Sequence, residues 1–320
     1  MKQKIVAAVA AGLAAVTLAP AAAQAHQHDH DSVRYASVKA CKVKDGGTKP
    51  CGGWRLIMHS GERMGLPDAQ VVARNADGSS SIYVTSPISV SGDGQKIAYL
   101  TKKGRLAVRT LGGGVRVFAA NALPHVPQTG IGLTLSDDGA RLAATFEGRG
   151  TRAYDTATGE RLGTVPGDEE LQGFSADGDE VLTRDSDAEN SAELAVYGDD
   201  GREQRRATPP QVMVANGAVA LNADGHTAAV VVLGKKPKLV TYDLDSDQIT
   251  AKLPVKLPSG DLNMIDWTGG TQVTLHLTES RDDRPTIMRI VQIDAATGAV
   301  KLRDTYKVLA DSYVFAACGG

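Results

Sequence analysis

Histidine is the first candidate for chemistry in this chain, and three of its seven histidines crowd into His26-Gln27-His28-Asp29-His30-Asp31. Cleavage ahead of His26 would leave a free amine with a histidine at position three. That arrangement can close a tetragonal nitrogen site around Cu(II) or Ni(II). His26 and His28 are therefore the candidate metal ligands, and no other cofactor is expected. Short histidine-rich tracts bind such ions by composition alone, and the competing reading is a solvated polar tail. His59, His125, His226 and His276 are scattered singly, and a lone histidine is ordinarily a satisfied surface or core residue.

Other catalytic signatures are missing from the sequence. It has no G-x-S-x-G elbow, no H-E-x-x-H pair and no glycine-rich phosphate loop opening a helix. Asp243-Leu244-Asp245-Ser246-Asp247 begins like a calcium loop, but Gln248 stands where glycine is needed and Pro254 where the bidentate glutamate should be. It reads as a polar hairpin. Asp185, Asp187 and Glu189 read as a solvated loop. No catalytic residue is assigned.

Any site must be positioned by a chain of 320 residues, 42% hydrophobic and only 4% aromatic. That apolar share is ample for a core and excludes wholesale disorder. Basic residues number 35 and acidic residues 37, for a net charge of −2, which excludes a strongly basic nucleic-acid-binding surface. Lys2 and Lys4, an uncharged run over residues 5–18 and Ala23-Gln24-Ala25 have the layout of a secretory signal peptide cleaved after residue 25. The run is too short for the roughly 20 residues of a spanning helix, so no transmembrane anchor is expected in the mature form. The domain reading is a signal peptide over 1–25, a histidine-rich tail over 26–31 and one domain over 32–320. Outside the cytosol thiols tend to oxidise, and Cys41, Cys51 and Cys318 leave one over. Cys41 and Cys51 bracket a turn-rich loop and are the first-choice disulfide; the rival joins Cys318 to one of them.

Periodicity carries the fold. A turn signature recurs as Ser91-Gly92-Asp93-Gly94, Ser136-Asp137-Asp138-Gly139, Ser175-Ala176-Asp177-Gly178, Asn222-Ala223-Asp224-Gly225 and, more weakly, Trp267-Thr268-Gly269-Gly270, with final glycines 45, 39, 47 and 45 residues apart. Asp-Gly suits a hairpin because glycine takes the positive φ and the acidic or hydroxyl side chain bonds nearby backbone. A second turn follows at a regular distance, as in Tyr154-Asp155-Thr156-Ala157-Thr158-Gly159 and Ile293-Asp294-Ala295-Ala296-Thr297-Gly298. Each unit thus carries four short strands, the pattern of a β-propeller blade.

On these two turns, over residues 86–310, the chain resembles the WD40-like repeats of TolB-type bacterial propellers. It lacks the Gly-His and Trp-Asp dipeptides of true WD40 repeats, so the resemblance implies architecture only. The expected fold is all-β: a propeller of six four-stranded blades, with seven as the alternative. Residues 311–316 would add one strand to three from the head, taken as 32–44, 54–60 and 70–74. Pairing the N- and C-terminal strands would close the ring and remove its open edges.

In such a blade the loops joining second to third strands share a face with those joining fourth to first strands. That face would carry Lys102, Lys103, Arg149, the acidic run at 185–189, Lys235, Lys236, Arg281 and Arg284, with His125 in a fourth-to-first connection. Signs alternate around the ring, which suits a protein partner of matching pattern better than one charged ligand. The functional expectation is a secreted or extracytoplasmic, non-catalytic, monomeric propeller that binds a protein or other envelope component through this face. The alternative is an enzyme, a metal-dependent hydrolase or lyase with its site at the channel mouth near His125.

Overall fold

The structure is a computed structural model that describes residues 31–167, 169–185, 192–215, 217–281 and 284–319. The head supplies β1 (Val33–Lys42), β2 (Thr48–Met58) and β3 (Arg63–Leu66), followed by the hairpin β4 (Val72–Arg74) and β5 (Ser80–Thr85). The first blade is β6 (Ile88–Val90), β7 (Lys96–Leu100), β8 (Leu106–Thr110) and β9 (Val115–Val117). The second is β10 (Ile131–Leu135), β11 (Arg141–Phe146), β12 (Gly150–Asp155) and β13 (Arg161–Val165). The third is β14 (Glu169–Phe174), β15 (Glu180–Asp185), β16 (Glu193–Gly198) and β17 (Glu203–Ala207). The fourth is β18 (Ala220–Leu221), β19 (Thr227–Val232), β20 (Lys238–Asp243) and β21 (Gln248–Pro254). The fifth is β22 (Asp261–Gly269), β23 (Gln272–Arg281), β24 (Arg284–Asp294) and β25 (Val300–Lys307), and β26 (Ser312–Ala317) ends the chain's strands.

Each blade is an antiparallel four-stranded sheet in chain order, except the sixth, ordered β26-β1-β2-β3. The tail strand therefore closes the ring as the innermost strand of a blade whose other strands come from the head. The third head strand is β3, not residues 70–74. That segment instead contributes β4 to a separate two-stranded sheet with β5. Asp31, read as the last residue of the tail, is tied to the body, because its carboxylate accepts a hydrogen bond from Ser60 N at 3.1 Å.

Both turn signatures act through their side chains. In the second blade Ser136 Oγ donates to Asp138 Oδ1 at 2.7 Å, while Ala140 N donates to the same oxygen at 2.8 Å and Arg141 N to Ser136 Oγ at 3.0 Å. Ser91–Asp93 and Ser175–Asp177 repeat the pattern. In the second turn Thr158 N and Oγ1 both donate to Asp155 Oδ1, at 2.8 and 3.0 Å, and Asp294 holds Thr297 the same way. The side chains satisfy backbone groups that would otherwise face the bend unpaired. Both kinds of turn lie on one face of the ring, the turn face; the opposite face carries the longer loops.

The core is divided by the blades. One apolar cluster sits at each of the six interfaces between neighbours, such as Trp54, Leu56, Ile97 and Tyr99 between the sixth and first. The seam between the second and third blades has the smallest, built on Val165, Val181, Ala195 and Tyr197. There the blades approach through backbone, and a Cβ on Gly163 would lie 2.1 Å from the carbonyl carbon of Asp200. Arg141 bridges the same seam to Asp199 at 2.9 Å.

Cys41 and Cys51 form the disulfide, and Cys318 is free. The bond closes a short loop at the end of β1 and β2. Replacing both cysteines by serine is expected to destabilise the protein by about 2–3 kcal/mol through the unfolded chain's regained freedom. Reductant should lower the melting temperature of the wild type similarly. An unchanged melting temperature would mean that β1–β2 pairing alone holds this end.

Candidate functional site

The loop face is where the sequence placed its candidates. Lys102 and Lys103 lie between β7 and β8, Arg149 between β11 and β12, Lys235 and Lys236 between β19 and β20, and Arg281 and Arg284 at the β23–β24 turn. They fall in different blades and form no single cluster. The side chains of Lys102, Lys103, Arg149, Lys235, Lys236 and Arg284 are exposed. His125 is exposed in the connection to β10, and no group of three or more His, Cys, Asp or Glu suited to a metal ion occurs among the described residues. His26 and His28, with Asp187 and Glu189, lie outside the described residues. His59 shares a hydrogen bond with Ser32 Oγ at 2.9 Å, and His226 with Asp243 Oδ2 at 3.1 Å. His276 is buried, its Nδ1 lacks a partner, and burial pushes its pKa down to about 4.

The β4–β5 hairpin, which the strand pattern of the sequence did not reveal, dominates the same face. Its turn, Asn75-Ala76-Asp77-Gly78, closes with Asn75 N donating to Ser79 O at 2.8 Å and Gly78 at φ 83°. Three hydrogen bonds tie it to its surroundings. Arg74 N donates to Gln128 Oε1 at 2.7 Å, Arg74 Nη2 to Lys102 O at 2.9 Å, and Tyr313 Oη to Tyr83 O at 2.7 Å. The outer strand nevertheless leaves Ile82, Tyr83 and Val84 exposed at 49%, 54% and 40%.

The second site lies in the central channel. The innermost strands β10, β14, β22 and β26 all run from the loop face toward the turn face. Toward the loop face, Asn263 and residues 313–317 line a cavity of about 410 Å³. Toward the turn face a smaller one of about 140 Å³ is lined by Asp137, Gln172, Phe174, Met264, Asp266, Trp267 and neighbours. Inter-blade hydrogen bonds draw this end together. Gly319 N donates to Val90 O at 2.9 Å and Asp93 N to Asp137 O at 2.9 Å.

Asp137 and Asp266 face this narrow end without help. Among the described residues neither carboxylate has a hydrogen-bond donor or an ion-pair partner. Asp137 leans against Gly92, where an added Cβ would fall 1.7 Å from Asp137 Oδ1. Asp266 Oδ2 stands 3.6 Å, and Gly92 Cα 3.7 Å, from the position a Cβ would take on Gly319. Burial, with the charges of Asp93 and Asp138, raises the Asp137 carboxyl to about 6. Burial and the charge of Asp137 raise Asp266 to about 8. Asp137 is exposed at this end of the channel and Asp266 is half-buried. Burial, together with Asp137, pushes the Cys318 thiol up to about 12, which makes it a poor nucleophile.

Six four-stranded blades around one channel, closed by a tail strand, define a β-propeller. The chain matches no protein-family profile and no curated protein. Among solved structures it is similar to a protein assigned as TolB from Agrobacterium tumefaciens, at 14% identity over 86% of this chain and 90% of that one, with a TM-score of 0.46. It is also similar to the β-propeller domain of Cps50 (Swd1) from Myceliophteria thermophila, at 17% identity over 71% and 73%, TM-score 0.42. Hydrazine synthase from Kuenenia stuttgartiensis matches at 15% over 71% and 67%, TM-score 0.41.

Proposed function

We propose that this protein is an extracytoplasmic, non-catalytic propeller that binds a protein partner through its loop face, with the β4–β5 hairpin as the anchor. The observation that carries this reading is the run Ile82-Tyr83-Val84, three consecutive large apolar side chains left in solvent on a hairpin tied at three points. A monomer ordinarily covers such surface, and exposed apolar patches mark interaction sites. Aromatic anchors contribute disproportionately to interfaces, and a preorganised hairpin loses little entropy on binding. The alternating charges of Lys102, Lys103, Lys235 and Lys236 against the acids between them would serve as a polar rim that sets orientation. The disulfide and the leader-like residues 1–25 support an oxidising, exported setting.

The test compares wild type with an Ile82→Ser, Tyr83→Ser double variant as immobilised bait for cell-envelope proteins. The same partner, identified by mass spectrometry and then purified, should bind wild type and lose about 10- to 100-fold in affinity for the variant, the range expected when anchors are removed. The melting temperature should be unchanged because both side chains are already in solvent. Equal retention by both proteins would defeat this reading. Concentration-dependent dimerisation abolished in the variant would replace it with self-association.

A further inference from the structure

With the β4–β5 hairpin as anchor, as proposed above, we infer that the partner is an acidic protein, one that presents an apolar pocket ringed by carboxylates. The cationic half of the contact is the tip of the β1–β2 hairpin. The strands that flank this pair stop short of it: β26 begins at Ser312, opposite Lys39, and β3 ends at Leu66, opposite Trp54. Residues 41–51 therefore overhang the sixth blade on the loop face, outside its four-stranded sheet. They carry Lys42, Lys44 and Lys49, with Lys39 at the root, and only Pro50 among them is buried. A two-stranded ribbon without a core is marginal by itself, yet this one is locked by Cys41–Cys51. The bond holds in place a set of lysines that adds nothing to the core.

These lysines stand beside the anchor. Tyr313, next to Ser312 in β26, donates to Tyr83 O at 2.7 Å, which sets the β4–β5 hairpin against the root of the tip. From β4, Arg74 Nη2 donates to Lys102 O at 2.9 Å, which brings exposed Lys102 and Lys103 to the same hairpin. Among the described residues none of these six lysines is ion-paired. The acids nearby are mostly engaged: Asp311 pairs with Arg55, Asp68 pairs with Arg109, and Asp77 accepts from Ser79 N at 2.9 Å. Asp45 alone offsets the tip. Charges alternate around the ring as a whole, but beside the anchor they share one sign, on a chain whose net charge is −2. A surface of opposite sign is what complements such a patch.

The anchor itself favours a protein over two other occupants. β5 leaves register with β4 between Thr85 and Ser80, so residues 81–84 bow outward without ladder partners. In lipid those unpaired backbone groups would be costly, whereas a protein pocket can bond them. A second copy of this chain fits poorly, because a twofold contact sets a patch against itself and would press lysines on lysines.

Panning a phage library of random peptides on the purified chain tests this, with peptides of ~12 residues able to span about 40 Å when extended. The expected winners carry Asp and Glu around an aromatic or large aliphatic residue. Made synthetically, they should bind about tenfold more weakly at ~0.5 M than at ~0.05 M salt, since exposed charges are screened. Lys42→Glu, Lys44→Glu should weaken them at least tenfold with an unchanged melting temperature, both side chains being exposed. The same peptides with their acids changed to lysine should be rejected by wild type and accepted by that variant. Winners without acidic residues, no enrichment at all, or equal binding by the Lys42→Glu, Lys44→Glu variant would each overturn the inference. So would wild type that sediments with phosphatidylglycerol vesicles and binds no acidic peptide, which would put a membrane in the partner's place. Peptides lost by the Ile82→Ser, Tyr83→Ser variant but kept by Lys42→Glu, Lys44→Glu would leave the anchor standing and defeat the acidic partner. Acidic peptides that need the lysines but not Ile82 and Tyr83 would defeat the anchor instead.

Discussion

Removing residues 311–320 is expected to leave a chain that accumulates as aggregate or proteolytic fragments. Within that segment β26 pairs with β1 from Tyr35↔Ala317 to Val38↔Val314. Ala40 N donates to Asp311 O at 2.8 Å, Cys318 N to Arg34 O at 3.1 Å and Gly319 N to Val90 O at 2.9 Å. Arg55 pairs with Asp311 at 2.9 Å, and the Ser37 and Ser312 hydroxyls share a bond of 2.7 Å. Ala317 is buried at the seam between the fifth and sixth blades, where Phe315 meets the Tyr35 ring edge-on at 6.2 Å.

The apolar share of this loss is modest, because Val314 and Phe315 are only half-buried. The larger share is topological. Without β26 the sixth blade loses its innermost strand, β1 exposes an unpaired edge, and two blade seams lose cover together. An unpaired, apolar strand edge is a template for aggregation. Native stabilities are only about 5–15 kcal/mol, and each orphaned backbone group can cost about 1–3 kcal/mol. Ala317→Asp keeps the full chain and should reproduce a milder form of the defect by placing a charge in the seam. A truncated protein that stays soluble with an unchanged melting temperature would show that the tail closes nothing.

The ring and its closure were legible because both turn types are written in side chains that satisfy backbone. Ser91-Gly92-Asp93-Gly94 and its repeats report hydrogen bonds that any such turn must make, so spacing alone recovered the blades. The same logic could have found the hairpin: Asn75-Ala76-Asp77-Gly78 repeats the Asn222-Ala223-Asp224-Gly225 string, which marks 70–74 as one arm of a hairpin. β3, four residues including Gly65, carries no comparable signal. The channel acids were visible only as departures from the repeat. The second position of the turn is Gly92, Ala176 and Ala223 elsewhere, but Asp137 in the second blade. Asp266 has no such marker, since the turn of the fifth blade lacks the signature aspartate. That the two converge on one cavity depends on ring closure and on Gly319, which periodicity does not encode.

Asp266→Asn is expected to raise stability at pH 8 while leaving it nearly unchanged at pH 4. The Asp266 carboxyl is lifted to about 8 in the folded protein, from an ordinary 3.8, by burial and by Asp137. Between those values the folded state holds a proton that the unfolded chain has released. Stability therefore falls as pH rises: the cost is absent below about pH 4 and full above about pH 8. Each tenfold change in proton affinity is worth about 1.4 kcal/mol, so the full cost is on the order of 5 kcal/mol. Asp137, raised in the same direction to about 6, adds to the slope, and the two titrate as a coupled pair. Asparagine has the shape of the protonated acid and cannot ionise, so it should flatten the wild-type profile above pH 5 and raise the melting temperature at pH 8 by roughly 5–10 °C. Thermal melts of both proteins from pH 4 to pH 8.5 decide the matter. Parallel profiles would mean that Asp266 ionises freely when folded, and an Asp266→Asn variant less stable than wild type at every pH would mean that the carboxylate is already compensated.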